Sequence, residues 1–279
     1  MLAGAASAEE ARFVGSYVWT YPKRYFGGLS GIDLTPDGRN FVVIGDAGQL
    51  IFGTIRREDG RIAGLEFDQV KSLHTPEGAR VKGLAEFDAE GLALTAEGRI
   101  YVSFEQVARV WAYDDWLGPA IPMPSHPDFA AFPPNGGLEA LAVAPDGTLY
   151  TLPERAASGP ERRKVYRYRN GGWSVFGNIE VPGEFWPVGA DIGPDGRFYL
   201  LERRYLPLVG FASRVRRFVI GRAELEAPEV LLETAFREHD NLEGIAVWLD
   251  EAGAIRLTMV SDDNRSRFQK TELVDYALP

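Results

Sequence analysis

One ten-residue pattern recurs along this chain, and it restricts the possible fold more than any figure of composition. Leu29-Ser30-Gly31-Ile32-Asp33-Leu34-Thr35-Pro36-Asp37-Gly38 returns as Ala89-Glu90-Gly91-Leu92-Ala93-Leu94-Thr95-Ala96-Glu97-Gly98, and again as Leu138-Glu139-Ala140-Leu141-Ala142-Val143-Ala144-Pro145-Asp146-Gly147. A less faithful copy is Val188-Gly189-Ala190-Asp191-Ile192-Gly193-Pro194-Asp195-Gly196, and a fifth is Leu242-Glu243-Gly244-Ile245-Ala246-Val247, whose longer turn ends at Gly253. The small residues at equivalent places, Gly31, Gly91, Ala140, Gly189 and Gly244, are 60, 49, 49 and 55 residues apart. Intervals of this size match the blades of a β-propeller.

Each copy joins an apolar strand, through a turn of Pro-Asp-Gly type, to a second strand such as 41–44 or 99–102. That is a β-hairpin. Two more candidate strands follow, for example 164–169 and 173–176, so each unit holds four, and no long stretch keeps helical periodicity. The last unit offers only three, ending in 271–278, while segment 13–20 stands alone at the front. Pairing the first segment with the last closes a ring and removes an exposed sheet edge. The pattern predicts an all-β protein, a five-bladed β-propeller closed by its N-terminal strand on the C-terminal blade. The 60-residue first interval leaves six blades as the alternative. Residues 9–279 form a single domain on this view, with 119–134 as a long surface loop between blades.

Composition removes several functions. Lys+Arg 30 against Asp+Glu 40 gives a net charge of −10, so there is no footprint for nucleic acid. The absence of Cys excludes disulfides, thiolate zinc and a Cys nucleophile together. Only His74, His126 and His239 supply imidazole. No apolar run approaches the ~20 residues of a transmembrane helix. Residues 1–8, with Ala6-Ser7-Ala8 ahead of Glu9-Glu10, read as the end of a signal peptide, which predicts a periplasmic or secreted protein.

In a propeller the innermost strand of each blade lines the central channel and the next runs back antiparallel to it. The start of the first therefore lies beside the end of the second. Those positions hold Ser30 with Asp46, Glu90 with Glu105, Glu139 with Glu154, Val188 with Glu202, and Glu243 with Asp262 and Asp263. As many as nine carboxylates gather at one channel mouth, on strands about 4.8 Å apart, while the Pro-Asp-Gly turns fall at the other end. Like charges so close push carboxylate pKa values up unless something positive intervenes.

A hard cation such as Ca²⁺ takes about six to eight oxygen ligands and needs neither Cys nor His. Asp46, Glu90, Glu105, Glu139, Glu154, Glu202, Glu243 and Asp262 are its expected ligands, with Asn135, Asn241 and Asn264 as neutral oxygens. The competing explanation is solvated surface carboxylates countered by basic side chains. Arg109, Arg155, Arg203 and Arg204 follow the acidic strand ends; the first three are expected to bind the charge of a small anionic substrate or ligand. His239 is the candidate general base, with Glu139 and Glu243 as further catalytic candidates. No G-x-S-x-G elbow supports a serine hydrolase of the α/β type. The tryptophans are expected between blades, with Trp186 able to border the pocket instead.

Gly27-Gly28-Leu29-Ser30-Gly31-Ile32, Asp88-Ala89-Glu90-Gly91-Leu92-Ala93, Gly136-Gly137-Leu138-Glu139-Ala140 and Asp240-Asn241-Leu242-Glu243-Gly244-Ile245, with Ser261-Asp262-Asp263-Asn264, resemble the esterase-like phytase domain family of bacterial exported proteins. The resemblance runs from about Gly27 to the C-terminus. It implies a propeller, export, and hydrolysis of an ester or phosphate ester, with Glu90, Glu139 and Glu243 at the mouth. Val188 and Ser30 depart from the acidic pattern in the fourth and first units, so a full ring of ligands is not expected. The alternative is a non-catalytic propeller that binds a ligand or a protein partner, whose identity the sequence does not give.

Overall fold

The computed structural model describes residues 10–21, 26–81, 87–133, 135–155 and 161–279. The leader-like residues 1–8, Lys23, Lys82 and Pro134 lie outside them. β1 (Arg12–Val18) opens the described chain. Blade 1 consists of β2 (Leu29–Leu34), β3 (Asn40–Gly45), β4 (Gln49–Glu58) and β5 (Arg61–Ser72). Blade 2 holds β6 (Ala89–Leu94), β7 (Ile100–Phe104), β8 (Arg109–Tyr113) and the short β9 (Ile121–Pro122). Blade 3 holds β10 (Leu138–Val143), β11 (Leu149–Pro153), β12 (Arg162–Arg169) and β13 (Gly172–Glu180). Blade 4 holds β14 (Trp186–Ile192), β15 (Phe198–Leu206), β16 (Gly210–Ile220) and β17 (Leu225–Glu233). Blade 5 takes β18 (Asn241–Leu249), β19 (Ile255–Asp262) and β20 (Glu272–Ala277).

The fourth strand of blade 5 is β1, which runs antiparallel to β20 from Arg12 opposite Ala277 to Val18 opposite Glu272. The ring thus has five blades closed by the N-terminal strand. The long first interval hides no sixth blade: β4 and β5 run for 10 and 12 residues and absorb the extra length. Apolar residues group into five clusters, one at each seam between neighbouring blades. Trp19 and Trp248 fill the seam between blades 5 and 1, and Trp111 that between 1 and 2. Stability therefore resides in blade-on-blade burial, which leaves the axial channel free for polar side chains. No helix among the described residues is long and apolar enough to cross a membrane.

All five innermost strands carry a break in register at the same place. The shifts lie between Leu29 and Gly31, Ala89 and Leu92, Leu138 and Ala140, Pro187 and Gly189, and Leu242 and Gly244. A β-bulge of this kind leaves an extra residue unpaired and re-aims its side chain. The residues so released are Ser30, Glu90, Glu139, Val188 and Glu243. The small residue that follows has its own cause. A Cβ on Gly91 would come within 2.3 Å of the Glu139 carbonyl oxygen, and one on Gly189 within 2.4 Å of that of Glu243. Inner strands of adjacent blades pack backbone to backbone at this level, so a larger residue would spread the ring.

Candidate functional site: an acidic channel mouth

The hairpin ends and the bulges open into one cavity of about 690 Å³. Asp46, Asp88, Glu90, Glu105, Glu139, Glu154, Glu243 and Asp262 line it, together with Arg155, Arg203, Asn135, Asn241 and Asn264. Backbone hydrogen bonds fix the acidic ends beside the start of each inner strand. Asp46 N–H donates to Gly28 O at 2.9 Å, Glu105 N–H to Asp88 O at 2.9 Å, and Glu154 N–H to Gly137 O at 3.0 Å. Gly28 adopts φ +63°, and a Cβ there would meet the Asp46 carboxylate at 2.6 Å, which suits glycine on both counts.

Two groups of carboxylates have oxygens within 4.8 Å of one another: Asp88, Glu90 and Glu105, and Glu105, Glu139 and Glu154. Glu105 belongs to both. Burial, reinforced by the neighbouring carboxylates, holds Glu90 and Glu139 well above the ordinary carboxylate range. The same causes push Glu105 up to about 7 and Asp262 to about 8, and raise Asp88. Glu243 is raised too, because burial outweighs Arg203 and the Asn241 amide. Without a cation these groups retain protons that such residues ordinarily lose.

Counter-charge is unevenly distributed around the mouth. Arg203 donates to Glu154 Oε1 at 2.8 Å and Asn241 Oδ1 at 2.9 Å, and also to Glu243. Burial disfavours its charge, but Glu243, Glu139 and Glu154 outweigh that and raise its pKa. Arg155 lies 3.3 Å from Glu154, with its side chain half exposed and its guanidinium stacked 4.5 Å from the Trp186 ring centroid. Arg265 pairs with Asp46 at 3.2 Å on the far rim. Among the described residues no ion pair reaches Asp88, Glu90 or Glu105. Gln106 and the Glu105–Glu139 hydrogen bond are the polar partners found there. An all-oxygen donor set with surplus negative charge fits a hard divalent cation.

Three residues expected at the site lie elsewhere. Glu202 is fully buried between Arg214 and Arg216, whose Nε atoms donate to its Oε2 at 2.8 and 2.7 Å. The Arg214-Val215-Arg216 alternation in β16 puts both guanidiniums on its face, so Glu202 anchors blade 4 and does not line the mouth. Arg109 stacks on Phe104 and Trp111, at 4.3 and 4.5 Å, and donates to Val107 O at 2.7 Å, away from the cavity lining. His239 is buried behind blade 5, with Nε2 2.8 Å from the Tyr276 hydroxyl and the Phe13 ring beside it. Burial lowers its pKa, and it does not reach the cavity lining as a base.

Other lining residues were not anticipated: Asp88, Tyr205, Phe211, Phe268 and Gln269. Asp88 was legible as the residue two before a bulged Glu. Trp186 does border the pocket.

A five-bladed propeller whose bulged inner strands converge on an acidic mouth defines the class. The sequence model of the family described as "Phytase-like: Esterase-like activity of phytase" matches residues 24–265, and the chain belongs to that family. No curated protein sequence matches it. Among solved structures, an α-L-arabinofuranosidase from Podospora anserina in complex with cellotriose aligns with a TM-score of 0.56 at 12% identity, over 98% of this chain and 97% of that one. A PQQ-bound aldose sugar dehydrogenase from Streptomyces coelicolor aligns with a TM-score of 0.48 at 12% identity, over 95% and 98%. At such identities the likeness concerns the fold alone.

Proposed function

We propose that the protein is an exported hydrolase of an anionic phosphate or carboxylate ester, with Ca²⁺ or a similar divalent cation held at the channel mouth. The observation that carries this is the group Asp88, Glu90 and Glu105, which no ion pair among the described residues reaches and which shares Glu105 with Glu139 and Glu154. Family membership supports ester hydrolysis, and Ala6-Ser7-Ala8 supports export. When bound, the cation would supply Lewis-acid polarisation of the ester oxygen and a more acidic water.

The chain's own residues would do the rest. Arg155, half exposed and oriented by Glu154 and Trp186, binds the substrate's negative charge at the rim. Arg203 holds Glu154 and Glu243 in place through three side-chain hydrogen bonds, counting that to Asn241. Glu139, recessed between these two and Glu105, is the group we assign to proton transfer at its carboxyl oxygens, with Glu243 beside it. Departure of His239 from the site leaves carboxylates as the bases.

Assaying phenyl, ethyl and phosphate esters with Ca²⁺, and after chelation by EDTA, tests the proposal. Turnover that needs the cation and falls at least about a hundredfold in Glu139→Gln is expected. Cation binding with no turnover on any ester would instead identify a binding module.

A further inference from the structure

Blade 4 departs from the other four where it meets the mouth. In blade 3 the second strand stops at Pro153, one residue short of the mouth carboxylate Glu154. In blade 4 the equivalent strand runs four residues past Glu202, to Leu206, and remains paired with β16 through Arg204–Ala212, Tyr205–Phe211 and Leu206–Gly210. Four residues at about 3.3 Å each make an overhang of about 13 Å. Its tip is fixed. Arg237 donates from Nη2 to Leu208 O at 2.5 Å and from Nε to Val209 O, and its N–H donates to Phe211 O at 2.9 Å.

The overhang is apolar on the cavity side. Tyr205, 53% exposed, and Phe211 pack with ring centroids 4.8 Å apart, and both line the cavity. Trp186, under the Arg155 guanidinium, lies at the base of the same blade. Phe268, 99% exposed in the loop between β19 and β20, lines the cavity as well. Rings of blade 4 and of the blade 5 loop thus line the mouth together with its carboxylates, and one of them carries a stacked cation. No burial requirement explains this, since Tyr205 and Phe268 face solvent.

We infer that this ledge is a subsite for a planar aromatic group, so that the substrate is a small ester of low charge bearing an aryl ring. The inference rests on the hydrolytic reading of the mouth and specifies its substrate class. Flat ring faces and edges match an aryl guest better than a hydroxylated one, whose polar groups would need partners along the ledge. Charge sets the other limit. The lining carboxylates outnumber Arg155 and Arg203, and Arg203 is already engaged with Glu154 and Glu243. A polyphosphorylated ligand would bring more negative charge than Arg155 and a bound cation could offset there.

Calorimetric titration of the full chain in saturating Ca²⁺ with phenylphosphonate, methylphosphonate, glucose 1-phosphate and inositol hexaphosphate tests the subsite. Phenylphosphonate is expected to bind at least about tenfold more tightly than the other three. Tyr205→Ala, at an exposed site, is expected to lower that affinity about tenfold, with Phe211→Leu as an independent second variant. Equal affinities, failure of phenylphosphonate to bind, a preference that survives both variants, or tighter binding of the sugar phosphate or the hexaphosphate would each overturn it. Phenyl selectivity without hydrolysis of any ester would retain the subsite and remove the hydrolytic reading. Equal hydrolysis of phenyl and ethyl acetate would do the reverse.

Discussion

The two ends of the channel use acidic side chains in opposite ways. Toward the turn end, Asp33 accepts the N–H of Leu34 and that of Leu94, each at 2.7 Å, and so ties β2 to β6 across a blade seam. Asp191 does the same with Ile192 and Val247, each at 2.7 Å, tying β14 to β18. Both carboxyls are raised by burial, Asp33 to about 7 and Asp191 well above the ordinary carboxylate range, with Asp33 adding to the effect on Asp191. Yet each carboxyl oxygen of these two residues has a backbone donor. At the mouth, Asp88, Glu90 and Glu105 crowd together, and no ion pair among the described residues reaches them. A buried acid with its donors supplied is a structural clamp; a group of acids with no ion-pair partner among the described residues is a candidate site for a ligand.

The largest expected effect comes from a carboxylate that occupies a mouth-type position and behaves as a clamp. Glu202→Ala leaves Arg214 and Arg216 buried without their partner, and loss of about 3–5 kcal/mol in urea unfolding is expected. Next is Asp191→Ala, which strips acceptors from two backbone N–H groups and is expected to cost about 2 kcal/mol. Glu139→Gln, by contrast, removes one member of a repelling group. We expect no loss of stability in the cation-free protein at pH 8.5, together with weaker Ca²⁺ binding. Destabilisation of that variant on the scale of Glu202→Ala would erase the distinction between clamp and site.

The fold was readable because blades repeat. A small residue after an inner-strand Glu, a Pro-Asp-Gly turn, and an orphan strand at the front were enough to give five blades and their closure. Hairpin geometry likewise brought Glu90, Glu105, Glu139, Glu154 and Glu243 to one mouth, because strand ends are set by local pairing. Glu202 was misjudged for the complementary reason. Its fate depends on two arginines of the next strand, and alternation in β16 shows which face they share only once the register is known. His239 was drawn away by Tyr276, which is 37 residues distant in the chain. The bulges themselves carry no motif beyond the small residue, and the blade 4 overhang is only a slightly longer hairpin in the sequence.

The finest test separates the two ends by titration. Raised carboxyls such as Glu105, near 7, and Asp262, near 8, stabilise the fold while protonated, and this contribution is complete below the ordinary value of about 4. It disappears as pH rises through 7 to 8, where the folded protein must release protons that the unfolded chain has already lost. The melting temperature of the cation-free protein is therefore expected to fall between pH 6 and 8.5. Ca²⁺ takes the place of those protons at the mouth and restores most of the loss, with its own affinity rising over the same interval. Asp33, near 7 at the other end, makes a similar contribution that Ca²⁺ does not recover, since its oxygens are already occupied by Leu34 and Leu94. A pH-dependent drop that persists undiminished with Ca²⁺ would place the whole effect at the turn end and deny the mouth its cation.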